Sequence, residues 1–245
     1  MTVCITTFSQ DGYELYGHRM IESWLKFWPM DFKLIVYVED FSLTERDDRL
    51  ISVDLNGSCP GLIKFKERSL DMLKNSLGKR ETRRIQKTIK WSHKVYAIDH
   101  ALKNIKDKFI IFLDGDSYTI NPVNQNLPSV LIQDHLMAVH FEHLNDGLHF
   151  ETGLIVFNQH HPQTQLLSDI LTSGYDNLDI YSMTKTWDGF WLAHLHDKFK
   201  LDVLDLSKNG RGVFGNINVR NILKHDVGST KYRQAGYNEF TGRKI

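Results

Sequence analysis

One stretch limits what this chain can fold into: Phe109-Ile110-Ile111-Phe112-Leu113 runs straight into Asp114-Gly115-Asp116. Five consecutive apolar residues have the length and composition of a strand buried on both faces. Such strands lie inside sheets covered by helices on both sides, so the run predicts an α/β fold. Its end carries carboxylates at i and i+2. In an extended chain those side chains point to the same side, where they repel unless a cation lies between them. Hard oxygen ligands suit Mg²⁺ or Mn²⁺, and both ions bridge to phosphate oxygens. A second reading competes. Asp-Gly between apolar residues is also a hairpin signal, with Tyr118-Thr119-Ile120 as the returning strand. These eight residues alone do not choose between a metal corner and a turn.

The remaining chain narrows the class. Its 245 residues suffice for a sizeable α/β core, and no repeat, Ser/Gly-rich linker or low-complexity tract divides it, so one continuous domain over 1–245 is expected. Thirty basic and thirty acidic residues balance, which leaves no footprint for bulk nucleic-acid binding. No apolar run exceeds about five residues, far short of the roughly 20 that span a bilayer, so no transmembrane segment is expected. Met1-Thr2-Val3-Cys4-Ile5 lacks the features of a signal peptide. The two cysteines, Cys4 and Cys59, form neither a disulfide framework nor a zinc pattern. The expected compartment is a reducing cytoplasm.

Val3 to Thr7 reads as a first strand and Thr6-Thr7-Phe8-Ser9 as the loop after it. In open α/β sheets ligands sit beyond the carboxyl ends of the strands, so Thr7 and Phe8 are candidates for contacts to a nucleotide base. Tyr13 to Phe27 follows as a helix, with Tyr13 and Tyr16 near its start, where they stack on a base or simply pack. Phe32 to Val38 is a second strand, and Asp40 just beyond it can accept hydrogen bonds from a ribose or base. Glu39 reads as a solvated loop acid. Residues 41–80 are irregular apart from a helix over 62–77. Thr82 to Asn104 is a long helix whose Trp91, Val95, Ile98, Leu102 and Ile105 should face the sheet. Arg83, Lys87, Lys90 and Lys94 form a basic stripe on it. Lys94 borders the apolar face and so can point into a cleft, where a cation offsets the charge of a leaving diphosphate.

In the second half, Leu136 to Phe141 reads as a strand. His140, His143 and His149 around Glu142 and Asp146 read as a polar loop near an acceptor. Glu151-Thr152-Gly153 opens a buried strand through Asn158 and puts Glu151 at a cleft edge. Asp188 begins another helix, where a carboxylate caps free N–H groups. It also lies between Trp187 and Trp191, whose faces suit sugar C–H surfaces. Leu201 to Leu206 is an edge strand. In the tail, His225 can donate an imidazole to a metal, Gly228 permits a tight turn and Lys231 supplies a cation for phosphate.

In this order and spacing, these segments resemble the nucleotide-sugar glycosyltransferases of GT-A fold, most of all the retaining glycogenin-like and galactosyltransferase-like (family 8-like) group. Asp114-Gly115-Asp116 is similar to their DxD motif, Gly153 to Asn158 to the strand that follows, and His225-x-x-Gly228-x-x-Lys231 to their C-terminal HxxGxxK segment. The resemblance implies a single GT-A domain with a Rossmann-like, mixed but mostly parallel central sheet flanked by helices. Residues 1–120 would bind the nucleotide sugar and 121–245 the acceptor, with the C-terminal segment returning to the diphosphate. It implies Mn²⁺ or Mg²⁺ on Asp114, Asp116 and His225. A UDP-sugar donor would be held by Thr7, Phe8, Tyr13, Asp40, Lys94, Asp114, Gly228 and Lys231. The acceptor would be a hydroxyl on a glycan, lipid or protein, and a hexosyl group would be transferred with retention. Retention needs a carboxylate beneath the sugar or front-face attack shielded by the diphosphate; Asp188 and Glu151 are the carboxylates available. Two departures stand out: Tyr232-Arg233 replaces the family's Pro-Trp, and Asp188-Gly189 replaces its Asp-Gln. Of the rival readings, a sugar nucleotidyltransferase needs a glycine-rich loop that Thr6-Thr7-Phe8-Ser9 lacks. The other rival is a non-catalytic sugar- or nucleotide-binding module on a degenerate transferase fold.

Overall fold

A computed structural model describes residues 2–75, 78–144, 147–209 and 212–225. Nine strands follow in chain order: β1 (Thr2–Phe8), β2 (Lys33–Val38), β3 (Leu50–Asp54), β4 (Phe109–Leu113), β5 (Ser117–Thr119), β6 (Met137–Leu144), β7 (Gly147–Asn158), β8 (Val203–Asp205) and β9 (Leu223–His225). Seven of them form one sheet in the order β3-β2-β1-β4-β7-β6-β8, and β5 pairs with β9 in a separate ladder. The four strands from β3 to β4 are parallel. β7 runs antiparallel to both β4 and β6, and β8 is parallel to β6. This is the mixed, mostly parallel sheet that the resemblance implies.

Helices cover both faces, which is why β4 is buried along its whole length. The long helix Lys79–Asn104 lays Val95, Ile98, Ala101 and Leu102 over Ile110 and Phe112. On the other face the helix His18–Phe27 packs Met20, Ile21 and Trp24 against Cys4, Leu34, Val36 and Ile111. Burying each such side chain is worth about 1.5–3 kcal/mol.

Several local expectations change. β5 does not return along β4; it pairs with β9, Ser117 opposite His225. The corner is still a turn, closed by the Ser117 N–H donating to the Asp114 carbonyl at 3.0 Å. The two aspartates therefore converge through a turn and not through the pleat of an extended strand. Thr7 and Phe8 belong to β1 itself, and the loop after it is a single residue, Ser9, whose hydroxyl caps Gln10–Gly12. That helical turn passes through a π segment, Tyr13–Gly17, before His18–Phe27. The polar loop expected around His140 and His149 is instead the β6–β7 hairpin.

The register of that hairpin breaks. Ala138 faces Val156, but His140 faces Glu151. The intervening β7 residues leave β6, and Leu154 and Ile155 align with Leu113 and Phe112. Bulges of this kind re-aim side chains beside functional sites. Here the bulge carries Thr152 and Gly153 to the end of β4, where the Asp114 N–H donates to the Gly153 carbonyl at 2.9 Å.

Candidate active site

The Lys94 ammonium sits between two carboxylates, 2.7 Å from Asp114 Oδ1 and 3.0 Å from Asp188 Oδ2. It also donates to the hydroxyl of Thr152 at 3.1 Å, and that hydroxyl donates to Asp188 Oδ2 at 2.6 Å. One residue from the long helix, one from the end of β4, one from the bulge and one from the helix Asp188–Phe199 thus share a single network. Burial works against a charged lysine, yet the two carboxylates outweigh it and hold the Lys94 pKa above its ordinary value. Asp114 is different. Burial raises its pKa, Lys94 only partly offsets that, and Asp116 raises it further. One ammonium is shared by two acids.

His225 completes the corner. Its Nε2 lies 2.8 Å from Asp116 Oδ1 and 4.0 Å from Asp114 Oδ2. Burial alone would lower the imidazole pKa; the hydrogen bond to Asp116 and the charges of Asp116, Asp114 and Glu151 raise it overall. Ligand atoms of Asp114, Asp116 and His225 all lie within 4.8 Å of one another. Two carboxylate oxygens and an imidazole nitrogen suit a divalent cation with coordination positions left for phosphate. The donor set fits Mg²⁺ or Mn²⁺. Gly115 allows the corner to form: a Cβ there would meet the buried Phe8 ring at 2.5 Å.

An open cleft of about 230 Å³ lies in front of this corner, lined by Thr7, Ser9, Tyr16, Glu39, Lys90, Trp91, His93, Lys94 and Asp114-Gly115-Asp116. It lies at the carboxyl ends of β1, β2 and β4, where an open α/β sheet holds its ligand. Glu39 is not a solvated loop acid. It is half-buried and pairs with His93 Nδ1 at 2.9 Å. Trp91 does not face the sheet; it is half-buried at the cleft wall.

The other expected residues divide. Thr7 lines the cleft. Phe8 is buried beneath Gly115 and Gly17, so its ring offers no face to the cleft. Tyr13 is buried too, its hydroxyl bonded to Thr44 and Glu45. The Asp40 carboxylate accepts from the Gln10 N–H at 3.0 Å and lines a neighbouring hollow with Asp54 and Asn56. Glu151 accepts from the Val213 N–H at 2.7 Å and lies within 4.8 Å of His140 and Glu142 ligand atoms. Asp188 is not the helix cap: Trp187 occupies that position, and the Asp188 carboxylate turns to Lys94. Trp191 is core, its indole N–H donating to Leu171. Gly228 and Lys231 lie outside the described residues.

Sequence reasoning gave Thr152 and His93 no role. Thr152 reaches the site through a register break set by non-local pairing, which local sequence does not signal. His93 meets Glu39 from a different element 54 residues away, a pairing that local sequence does not signal either. The Asp188-Gly189 departure has a physical cause here: a Cβ at Gly189 would clash with the Phe150 carbonyl, so the site has no room for glutamine at that backbone position.

No family model matches this sequence, and no curated protein does. Solved structures do. An active-site mutant of LgtC superposes with a TM-score of 0.57 at 14% identity, over 93% of this chain and 88% of that one. Mouse xyloside xylosyltransferase 1 gives 0.53 at 12% identity, over 84% and 85%. The glycosyltransferase GlyE of Streptococcus pneumoniae TIGR4 gives 0.52 at 12% identity, over 84% of this chain but 45% of that one. At such identities the likeness is one of fold, and the fold this chain shares with them is the GT-A arrangement of glycosyltransferases.

Proposed function

We propose that this protein is a metal-dependent glycosyltransferase that moves a hexosyl group from a UDP-sugar to a hydroxyl acceptor with retention at C1. The observation that carries the reading is the convergence of Asp114, Asp116 and His225 at the mouth of a cleft on a glycosyltransferase fold. Asp114, Asp116 and His225 would hold Mn²⁺ or Mg²⁺, which offsets charge on the leaving diphosphate. Thr7, Glu39 and Tyr16 would meet the nucleoside, and Lys94 would keep its charge against the developing phosphate anion. In the reaction the bond from C1 to the diphosphate oxygen breaks. The acceptor oxygen bonds to C1, and its proton passes to the departing UDP. Asp188 is our choice for the carboxylate beside the sugar, because it shares Lys94 with Asp114; Glu151 is the alternative. Lys231, with Gly228 allowing a turn before it, would supply a cation to the diphosphate.

The test is hydrolysis of a panel of UDP- and GDP-sugars with and without Mn²⁺. We expect metal-dependent UDP release from one donor, reduced about 100-fold or more in Asp116→Ala, the scale of losing a group that stabilises transition-state charge. No release from any donor, together with no metal-dependent nucleotide binding, ends the reading.

A further inference from the structure

A second cleft, of about 230 Å³, adjoins the first. Trp91 lines both. The walls of the second cleft come from the start of the long helix, with Arg80, Arg83, Arg84, Lys87 and Trp91, and from the segment Thr184 to Trp187 that leads into Asp188. The helix residues fall at i, i+3, i+4, i+7 and i+11, one face of a helix. Thr88 and Thr186 tie the two walls together through their hydroxyls at 2.6 Å. Arg84 braces them further, donating to the carbonyls of Tyr181 and Met183. Its guanidinium is thereby used in the wall, while Arg80, Arg83 and Lys87 are exposed. Lys185 lies over the Trp187 ring at 4.6 Å. Trp91 and Trp187 meet edge to face at 6.0 Å. Among the described residues no carboxylate lines this cleft.

Like charges gathered in a concave site repel one another, so the arrangement is favourable when an anion occupies it. The two indoles add the flat apolar faces that pack against sugar rings. A membrane surface would be met by a flat or convex patch and would not need a cleft braced on both sides. Asp188 lies one residue beyond Trp187 and pairs with Lys94, so the wall of this cleft runs directly into the network around Lys94.

We propose that the second cleft is the acceptor subsite, and that it takes an acidic saccharide, one bearing carboxylate or phosphate groups. The acceptor role rests on the transferase reading above; the affinity for acidic sugars does not.

The experiment compares binding of trigalacturonate, glucose 6-phosphate and maltotriose to the full chain, by calorimetry and by tryptophan fluorescence at low salt. At least one acidic sugar should bind about tenfold or more tightly than maltotriose, quench the fluorescence and weaken with added salt. The double variant Arg83→Ala/Lys87→Ala should lose about tenfold or more in that affinity, the scale of one charge-assisted hydrogen bond. Trp187→Phe, which keeps an aromatic face, should retain most of it. Equal affinity for acidic and neutral sugars, or no binding of either, overturns the proposal. So does binding of phosphatidylglycerol vesicles without binding of either free acidic sugar. Metal-dependent UDP binding is measured in the same samples and in Asp116→Ala. Loss of UDP binding from the wild type with acidic-sugar binding retained would remove the transferase reading and leave the anion site standing.

Discussion

The two clefts on either side of Trp91 handle charge in opposite ways. In the first, Lys90 alone among the charged lining residues is an exposed lysine, and the charges around the corner are at least half-buried and answer to partners: Lys94 to Asp114 and Asp188, His225 to Asp116, His93 to Glu39. In the second, cations stand on an exposed helix face and the lining holds no acid among the described residues. Burial is what separates them. Removing a charge from water demands a partner inside the protein, whereas exposed arginines and lysines remain solvated until a ligand arrives. The first cleft should therefore couple its charges to folding, and the second should couple them only to binding.

The largest expected effect tests that difference directly. Lys94→Met leaves Asp114 and Asp188 facing each other with no ammonium between them, at side-chain exposures of 25% and 6%. Breaking a buried pair from one side costs about 3–5 kcal/mol, read as a lower urea midpoint. Adding Asp188→Asn should recover part of the loss. Lys87→Met, one basic residue in the second cleft, should leave stability within about 0.5 kcal/mol of wild type. Equal losses in both variants would break the comparison.

The two tryptophans around Asp188 sharpen it. They look equivalent in sequence, and the structure separates them. Trp191 is buried against Gly174 and Tyr175 with its N–H on Leu171; Trp187 is half-exposed in the second cleft. Trp191→Ala should cost about 3–5 kcal/mol of stability, measured by chemical unfolding. Trp187→Ala should cost well under half of that.

That pair also shows where sequence reading stops. The sheet was legible because its signals are local: the buried run at β4 and the helical spacing of Val95, Ile98 and Leu102 each need only neighbouring residues. Asp114 and Asp116 were legible as a pair for the same reason. A turn converges the two aspartates, and what brings His225 to them is not local: the β5–β9 ladder delivers it. Non-local pairing decided what was missed. The break in register between β6 and β7 supplies Thr152, the long helix shifts Trp91 from the sheet to the cleft wall, and the start of that helix meets Thr184–Trp187 to form the second cleft. Helical periodicity alone does not say which tryptophan is core: a spacing of four suggests one shared face, but Trp187 is the extended cap residue and only Trp191 lies within the helix.

The smallest effect is a slope with pH, and it compares two carboxylates in the same half of the sheet. Burial would raise the Glu45 pKa, but hydrogen bonds from Tyr13 and His18 pull it below its ordinary 4.5. A lowered folded pKa gives stability that is present above the unfolded value and is lost as pH falls through the folded one. Asp114 has the opposite sign. Its raised folded pKa gives a contribution that is full below its ordinary 3.8 and is lost as pH rises through the folded value. In chelator, Glu45→Gln should therefore make the acid limb of the stability curve shallower, and Asp114→Asn should make it steeper. Mn²⁺ should reverse the second effect only. A cation on Asp114 stabilises its ionised form, so the Asp114 contribution to stability would rise with pH where it fell before. Glu45, bonded to Tyr13 and His18 away from the corner, should not respond. An Asp114→Asn curve that tracks wild type with and without Mn²⁺ would mean that no cation meets this carboxylate, and the two clefts would then differ only in burial.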